Sequence, residues 1–201
     1  MSIQHRFFAV LTFVAVAVVQ ASSATAGGVG AYLEYPRGNQ TIAYNLGEAD
    51  FTNTRLGAGI VLDTNVARDE LLNVRGTVGY VRTENTVDEE AHGGALDLSV
   101  GFGVVRLRDL RLWVAPAARI GVDFYDNDLA EVLGLGFGGG VRLGLNWHVS
   151  PQVSIAPSIA YQYMYVRETI DDDFGKDRFN GTEQLITVRL TFLFRDAEDI
   201  F

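Results

Sequence analysis

Leu133-Gly134-Leu135-Gly136-Phe137-Gly138-Gly139-Gly140-Val141-Arg142-Leu143-Gly144-Leu145-Asn146-Trp147 alternates with a period of two from end to end. Every odd position except Gly139 is large and apolar, and every even position is glycine, Arg142 or Asn146. Such a period marks a strand whose two faces meet different surroundings. In a water-soluble barrel the polar face meets solvent, where glycines weaken the strand and cover nothing. Small residues instead suit the inside of a narrow eight-stranded barrel, which has room only for packed side chains. The large face is then left to meet lipid.

Seven further stretches repeat the pattern, with apolar phases running Val29–Tyr35, Leu56–Leu62, Leu72–Tyr80, Leu96–Val104, Leu112–Phe124, Val153–Tyr165 and Ile186–Phe194. No charged residue falls in any apolar phase. The opposite phase holds glycines, small polar residues and the charges Glu34, Arg55, Arg75, Asp97, Arg119, Asp123, Arg142 and Arg189. These eight are expected to form a charge network that fills and locks the lumen, with Glu34 beside Arg55, and Asp97 and Asp123 beside Arg119. The small residues of the sixth strand leave space for Tyr32 and Trp113. The expected fold is all-β, an eight-stranded antiparallel up-and-down transmembrane β-barrel.

Composition agrees with a membrane protein that does not use helices. At 201 residues the chain suffices for one domain, and 48% hydrophobic content is too ordinary for a bundle of membrane helices. The absence of Cys removes disulfides and thiol chemistry, and a net charge of -9 argues against a nucleic-acid partner. Fifteen of the sixteen basic residues are Arg, with Lys176 the exception, which suits cations that are packed or paired rather than freely solvated. No cofactor is indicated.

Met1 to Ala26 has the order of a secretory signal peptide: His5 and Arg6, an apolar run from Phe7 to Val19, then Ala24-Thr25-Ala26. The apolar run is shorter than the ~20 residues of a spanning helix. The organisation read from sequence is a cleaved leader over 1–26, a barrel over 27–194 and a short periplasmic tail over 195–201. The gaps Pro36–Asn53, Thr83–Gly94, Asp126–Glu131 and Glu168–Gly181 read as outer loops. Those at Asp63–Asp69, Arg106–Asp109 and His148–Pro151 read as periplasmic turns, so both termini are expected in the periplasm. Tyr35, Tyr80, Phe124, Tyr163 and Tyr165 fall at the outer rim and Trp147, Phe192 and Phe194 at the inner one, as aromatic girdles. Pro116 and Pro157 lack a donor that a closed barrel needs, so a bulge or an open hydrogen bond is expected at each.

The Gly-rich strand, the turn at Trp147-His148-Val149-Ser150-Pro151 and the strand ending Tyr161-Gln162-Tyr163 resemble the sixth and seventh strands of the small eight-stranded outer-membrane barrels. That superfamily includes the OmpA transmembrane domain, the OmpX/Ail group and the opacity-type porin family of Gram-negative bacteria. The resemblance covers Gly27 to Phe194 and implies a monomeric multi-pass barrel of the cell outer membrane, in contact with lipid and lipopolysaccharide. It also implies an assembly signal read by the outer-membrane assembly machinery at Phe194, with Phe201 as the competing terminal aromatic.

His148-Val149-Ser150 resembles the H-x-S pair of PagL-type lipid A deacylases, but it falls in a turn on the periplasmic side, whereas lipid A occupies the outer leaflet. The outer segments are acidic at Glu84, Asp88, Glu89 and Glu90 and at Asp171, Asp172, Asp173 and Asp177, runs that read as solvated. Arg37, Arg82 and Arg167 sit near the outer rim, within reach of lipid A phosphates. The function expected is non-enzymatic: a structural or surface-interaction barrel that binds an extracellular ligand through its loops. A narrow porin-like channel is the alternative, followed by a lipid-modifying enzyme.

Overall fold

A computed structural model describes residues 27–44, 47–65, 72–86, 90–127, 130–150, 152–172 and 175–195. The leader 1–26 and the tail residues 196–201, Phe201 among them, lie outside the described residues. Eight strands follow in order: β1 (Gly27–Tyr44), β2 (Gly47–Asn65), β3 (Leu72–Glu84), β4 (Glu90–Arg106), β5 (Leu110–Asn127), β6 (Ala130–Ser150), β7 (Val153–Asp172) and β8 (Gly175–Arg195). Each pairs antiparallel with the next, and β1 pairs with β8 to close the ring. Closure removes the unpaired edges that an open sheet exposes to lipid, so every strand finds its backbone partners inside the wall.

Paired residues traced round the wall from Leu33 through Ala58, Tyr80, Gly94, Val122, Leu135, Arg167 and Asn180 return to Ala43, ten residues further along β1. With a rise of about 3.3 Å per residue and strands about 4.8 Å apart, that stagger tilts the strands by roughly 40°. The wall is narrow, and its lumen is filled by side chains.

Alternation sorts the residues as the sequence requires. Leu33, Leu56, Leu98, Ile120, Phe137, Val141, Leu143 and Val188 stand outward, each 51–63% exposed. Tyr35, Tyr80, Tyr163 and Tyr165 stand outward at one margin of this band, and Trp147, Phe192 and Phe194 at the other. An uninterrupted apolar exterior is unfavourable in water and favourable in a hydrocarbon slab.

One end of the barrel carries Gly27 and Arg195 together with the β2–β3, β4–β5 and β6–β7 connections; the opposite, distal end carries the other four. At the distal end the structure differs from the loop expectation. Pro36–Asn53 is mostly strand, because β1 and β2 stay paired up to Tyr44 and Gly47. The other three distal gaps likewise shrink, with β3 reaching Glu84, β4 starting at Glu90, β5 reaching Asn127, β6 starting at Ala130, β7 reaching Asp172 and β8 starting at Gly175. The apolar alternation ends where the wall leaves the lipid, but backbone pairing also satisfies N–H and C=O groups in water, so the strands continue with outward Arg37, Asn39 and Thr41.

The prolines open the ladder locally. Pairing of β1 with β2 skips Tyr35 and Pro36 opposite Arg55 and Leu56. The β4–β5 ladder skips Ala115 and Pro116, and the β6–β7 ladder skips Ala156 and Pro157. Each proline lacks the N–H its neighbour's carbonyl needs, and the gap is confined to one side of the strand. Register shifts occur elsewhere, between Gly103 and Val105 and between His148 and Ser150.

A charged lumen in three tiers

The inward phase is a stack of polar tiers. At mid-height, Glu34 of β1 and Asp97 of β4 face Arg119 of β5, Arg142 of β6 and Arg189 of β8, all 1–4% exposed. Arg119 donates to Glu34 Oε1 at 2.8 Å and to Asp97 Oδ2 at 3.1 Å. Arg189 donates to Asp97 Oδ2 at 2.6 Å, to Thr77 Oγ1 at 2.9 Å and to Glu34, and its guanidinium lies 4.3 Å from the Tyr32 ring centre. Arg142 donates to Asp97 Oδ1 at 3.1 Å. Asp97 thus serves three guanidinium groups at once, and the two carboxylates offset two of the three positive charges where solvent cannot.

Toward the terminal end, Asp63 accepts from Arg75 at 3.1 Å and from Arg195 at 2.7 Å. Asn146 joins that tier to Trp113, accepting from its indole N–H at 3.0 Å and from Arg75 at 3.2 Å. Toward the distal end, Arg55 holds Glu183 through two bonds of 2.6 and 3.1 Å, with Asp123 at 3.8 Å. Gln40 donates to Glu168 at 2.8 Å, and Asn53 donates to Gln40 and Glu183.

All eight charges named from the sequence lie on the inner phase, but two of the expected pairings differ. Glu34 pairs with Arg119 and Arg189, not with Arg55, because the barrel stagger carries β1 past β2 and lifts Arg55 above it. Arg55 and Asp123 belong to the distal tier with Glu183. Alternation does not mark Asp63, Glu183, Arg111 and Arg195 as inward, although all four are buried. Asp63 and Glu183 lie at the ends of the apolar phases, where alternation alone gives no cue that the strand continues. Arg195 is the last residue of β8 and is turned into the lumen, which shortens the expected tail.

Glycines make room for the large inward rings, and not only on β6. A Cβ on Gly144 of β6 would lie 2.1 Å from the Trp113 ring, as expected, but the space for Tyr32 comes from Gly59 of β2 and Gly79 of β3. Replacing Gly144 with valine is expected to displace Trp113 and lower stability by about 1–3 kcal/mol, read as an earlier urea midpoint.

The His148–Ser150 pair is not assembled. Ser150 Oγ accepts the backbone N–H groups of Gln152 and Val153, at 3.3 and 3.1 Å, which fixes the turn. His148 Nδ1 lies 2.8 Å from Ser154 Oγ instead, and Ser154 is fully buried. At the distal rim, His92 contacts Tyr80 and Glu90 outside the barrel. Among the described residues no group of three or more His, Asp or Glu side chains is placed to hold a metal ion.

No family model matches the chain, and no curated protein matches it in sequence. Solved structures do match in shape. The outer membrane protein OprG from Pseudomonas aeruginosa aligns with a TM-score of 0.55 at 8% identity, over 83% of this chain and 96% of OprG. The chain has the fold of an outer-membrane β-barrel. Neisserial surface protein A aligns with this barrel at 16% identity and a TM-score of 0.36, over 79% of this chain and 95% of its own. Ail of Yersinia pestis aligns at 13% identity and 0.44, over 86% of the barrel chain and 100% of Ail. These likenesses concern architecture, and the fold supports many unrelated activities.

Proposed function

We propose that this outer-membrane barrel is sealed and non-conducting, and that it acts through the surface its distal hairpins present outside the cell. The observation that carries this reading is the central tier, in which five charged side chains interlock across the lumen at 1–4% exposure. A pore needs a continuous water path, and an interlocked, ion-paired plug at mid-height supplies none. In this orientation the termini lie in the periplasm, and Phe194, 57% exposed at the end of β8, is the aromatic offered to the assembly machinery. Arg37 and Arg167 stand outward two residues beyond Tyr35 and Tyr165, where the wall leaves the apolar band; they are the side chains we assign to phosphates of lipid or lipopolysaccharide. The extracellular partner is met by exposed hairpin residues that include Glu48, Asp50, Glu84, Glu90 and Asp177.

The test is a bilayer recording of the purified, folded protein. A flat current trace is expected, and discrete conductance steps from the unmodified barrel overturn the sealed-lumen reading in favour of a narrow channel. Arg119→Met is expected to stay folded and silent as well, since Arg142 and Arg189 still occupy Asp97 and Glu34. A large rise in conductance in that variant alone identifies Arg119 as a gate.

A further inference from the structure

Between the central and distal tiers the packing stops. A cavity lined by residues of both tiers encloses about 40 Å³ of water-sized space, room for on the order of three waters. Its wall is bare where Gly121, Gly134 and Gly136 lack side chains. Elsewhere on the same face of β6 the glycines are dictated by close approach: a Cβ on Gly138 or Gly140 would lie 2.0 or 1.9 Å from a backbone oxygen of β7. At Gly134 and Gly136 the nearest atoms would be 3.7 Å away, and at Gly121 3.9 Å. Packing does not require glycine at these three positions, and their absent side chains are what keep the cavity open.

The chemistry of the wall is two-sided. Met164, Val166 and Leu185 form an apolar cluster on one side. Opposite them stands Asp123, which accepts from Thr83 Oγ1 at 3.3 Å and is held only loosely by Arg55 at 3.8 Å, because that guanidinium is turned to Glu183. Tyr125 follows Asp123 on the same inward phase. The lining holds the carboxylates Asp123, Glu168 and Glu183 against Arg55, while Arg119 at the floor is already engaged by Glu34 and Asp97. The exposed acids Glu48, Asp50 and Glu84 on the hairpins above add to a field that draws cations inward.

We propose that this cavity is a binding vestibule for a small organic cation, a primary ammonium or guanidinium head on a short apolar stem. The head donates to the Asp123 carboxylate, and the stem lies against Met164, Val166 and Leu185. The assignment holds whether or not the lumen conducts.

Met164 is the natural reporter, since its Cε methyl lies 3.7 Å from the position of a Cβ on Gly136, and the only other methionine is Met1. Protein labelled with ¹³C-methyl methionine and folded in maltoside micelles is titrated with n-butylammonium, n-butyrate and n-butanol. The expected result is a saturable shift of the Met164 methyl with n-butylammonium alone. Asp123→Asn, which loses one charge-assisted hydrogen bond, and Gly134→Leu, which fills the cavity, are both checked for barrel folding by heat-dependent gel mobility and are each expected to raise half-saturation at least about tenfold. No saturable shift, an equal response to butanol or butyrate, or a shift unchanged in either folded variant overturns the proposal.

Discussion

Replacing Asp97 with leucine is expected to destabilise the barrel by about 3–5 kcal/mol, measured by urea unfolding in lipid vesicles. Asp97 is bonded by Arg119, Arg142 and Arg189. Its removal leaves Glu34 as the single carboxylate among three buried guanidinium groups, and Arg142 loses the only ion-pair partner it has in that tier. The cost arises from uncompensated charge rather than from lost attraction, because a buried ion pair as a whole contributes little net stability. Arg142→Met is the informative contrast. It removes one of three cations from Asp97, leaves Arg119 and Arg189 in place, and is expected to change stability by no more than about 1 kcal/mol. Equal losses in the two variants would show that the tier is held by shape rather than by charge balance.

Leu98→Arg tests the other face of the same strand. Leu98 follows Asp97 and therefore lies at the height of the central tier, outward and 52% exposed. At the middle of a bilayer an outward arginine costs about 2–4 kcal/mol. The same substitution on the solvent side of a water-soluble barrel is close to neutral. A reversible unfolding curve in vesicles is expected to show the full penalty for Leu98→Arg and a far smaller one for Gln184→Arg, which stands outward beyond the apolar run of β8. Equal tolerance of both substitutions would contradict a lipid-facing wall.

Much of this architecture is legible in the sequence because alternation reports the medium on each side of a strand. The eight strands, their inward charges and the rim tyrosines Tyr35, Tyr80 and Tyr163 follow from it. Two things do not. Strand length beyond the apolar band is invisible, since residues such as Asn39 and Thr41 meet water on the outer side and carry no contrast. Pairing partners are also invisible, since Glu34 meets Arg189 across a separation of 155 residues and the stagger that brings them together is a property of the closed ring. The Glu183–Arg55 pair was missed for both reasons. The cavity beneath that pair is hidden as well, because Gly134 and Gly138 look alike in a sequence and differ only in what stands opposite them.

The central tier draws its members from β1, β4, β5, β6 and β8, separated along the chain by 22 to 155 residues. One hairpin, β4–β5, carries a neutral pair from it, Asp97 with Arg119. The β5–β6 hairpin holds Arg119 and Arg142 with neither Glu34 nor Asp97, and β8 arrives with Arg189 after every other strand has been made. Until β8 joins β1, Arg189 lacks Glu34 and Asp97, and a bare guanidinium in hydrocarbon costs several kcal/mol. Arg189 is satisfied only when β8 meets β1, so the closing of the ring is also the step that hides the last cation of this tier from the hydrocarbon.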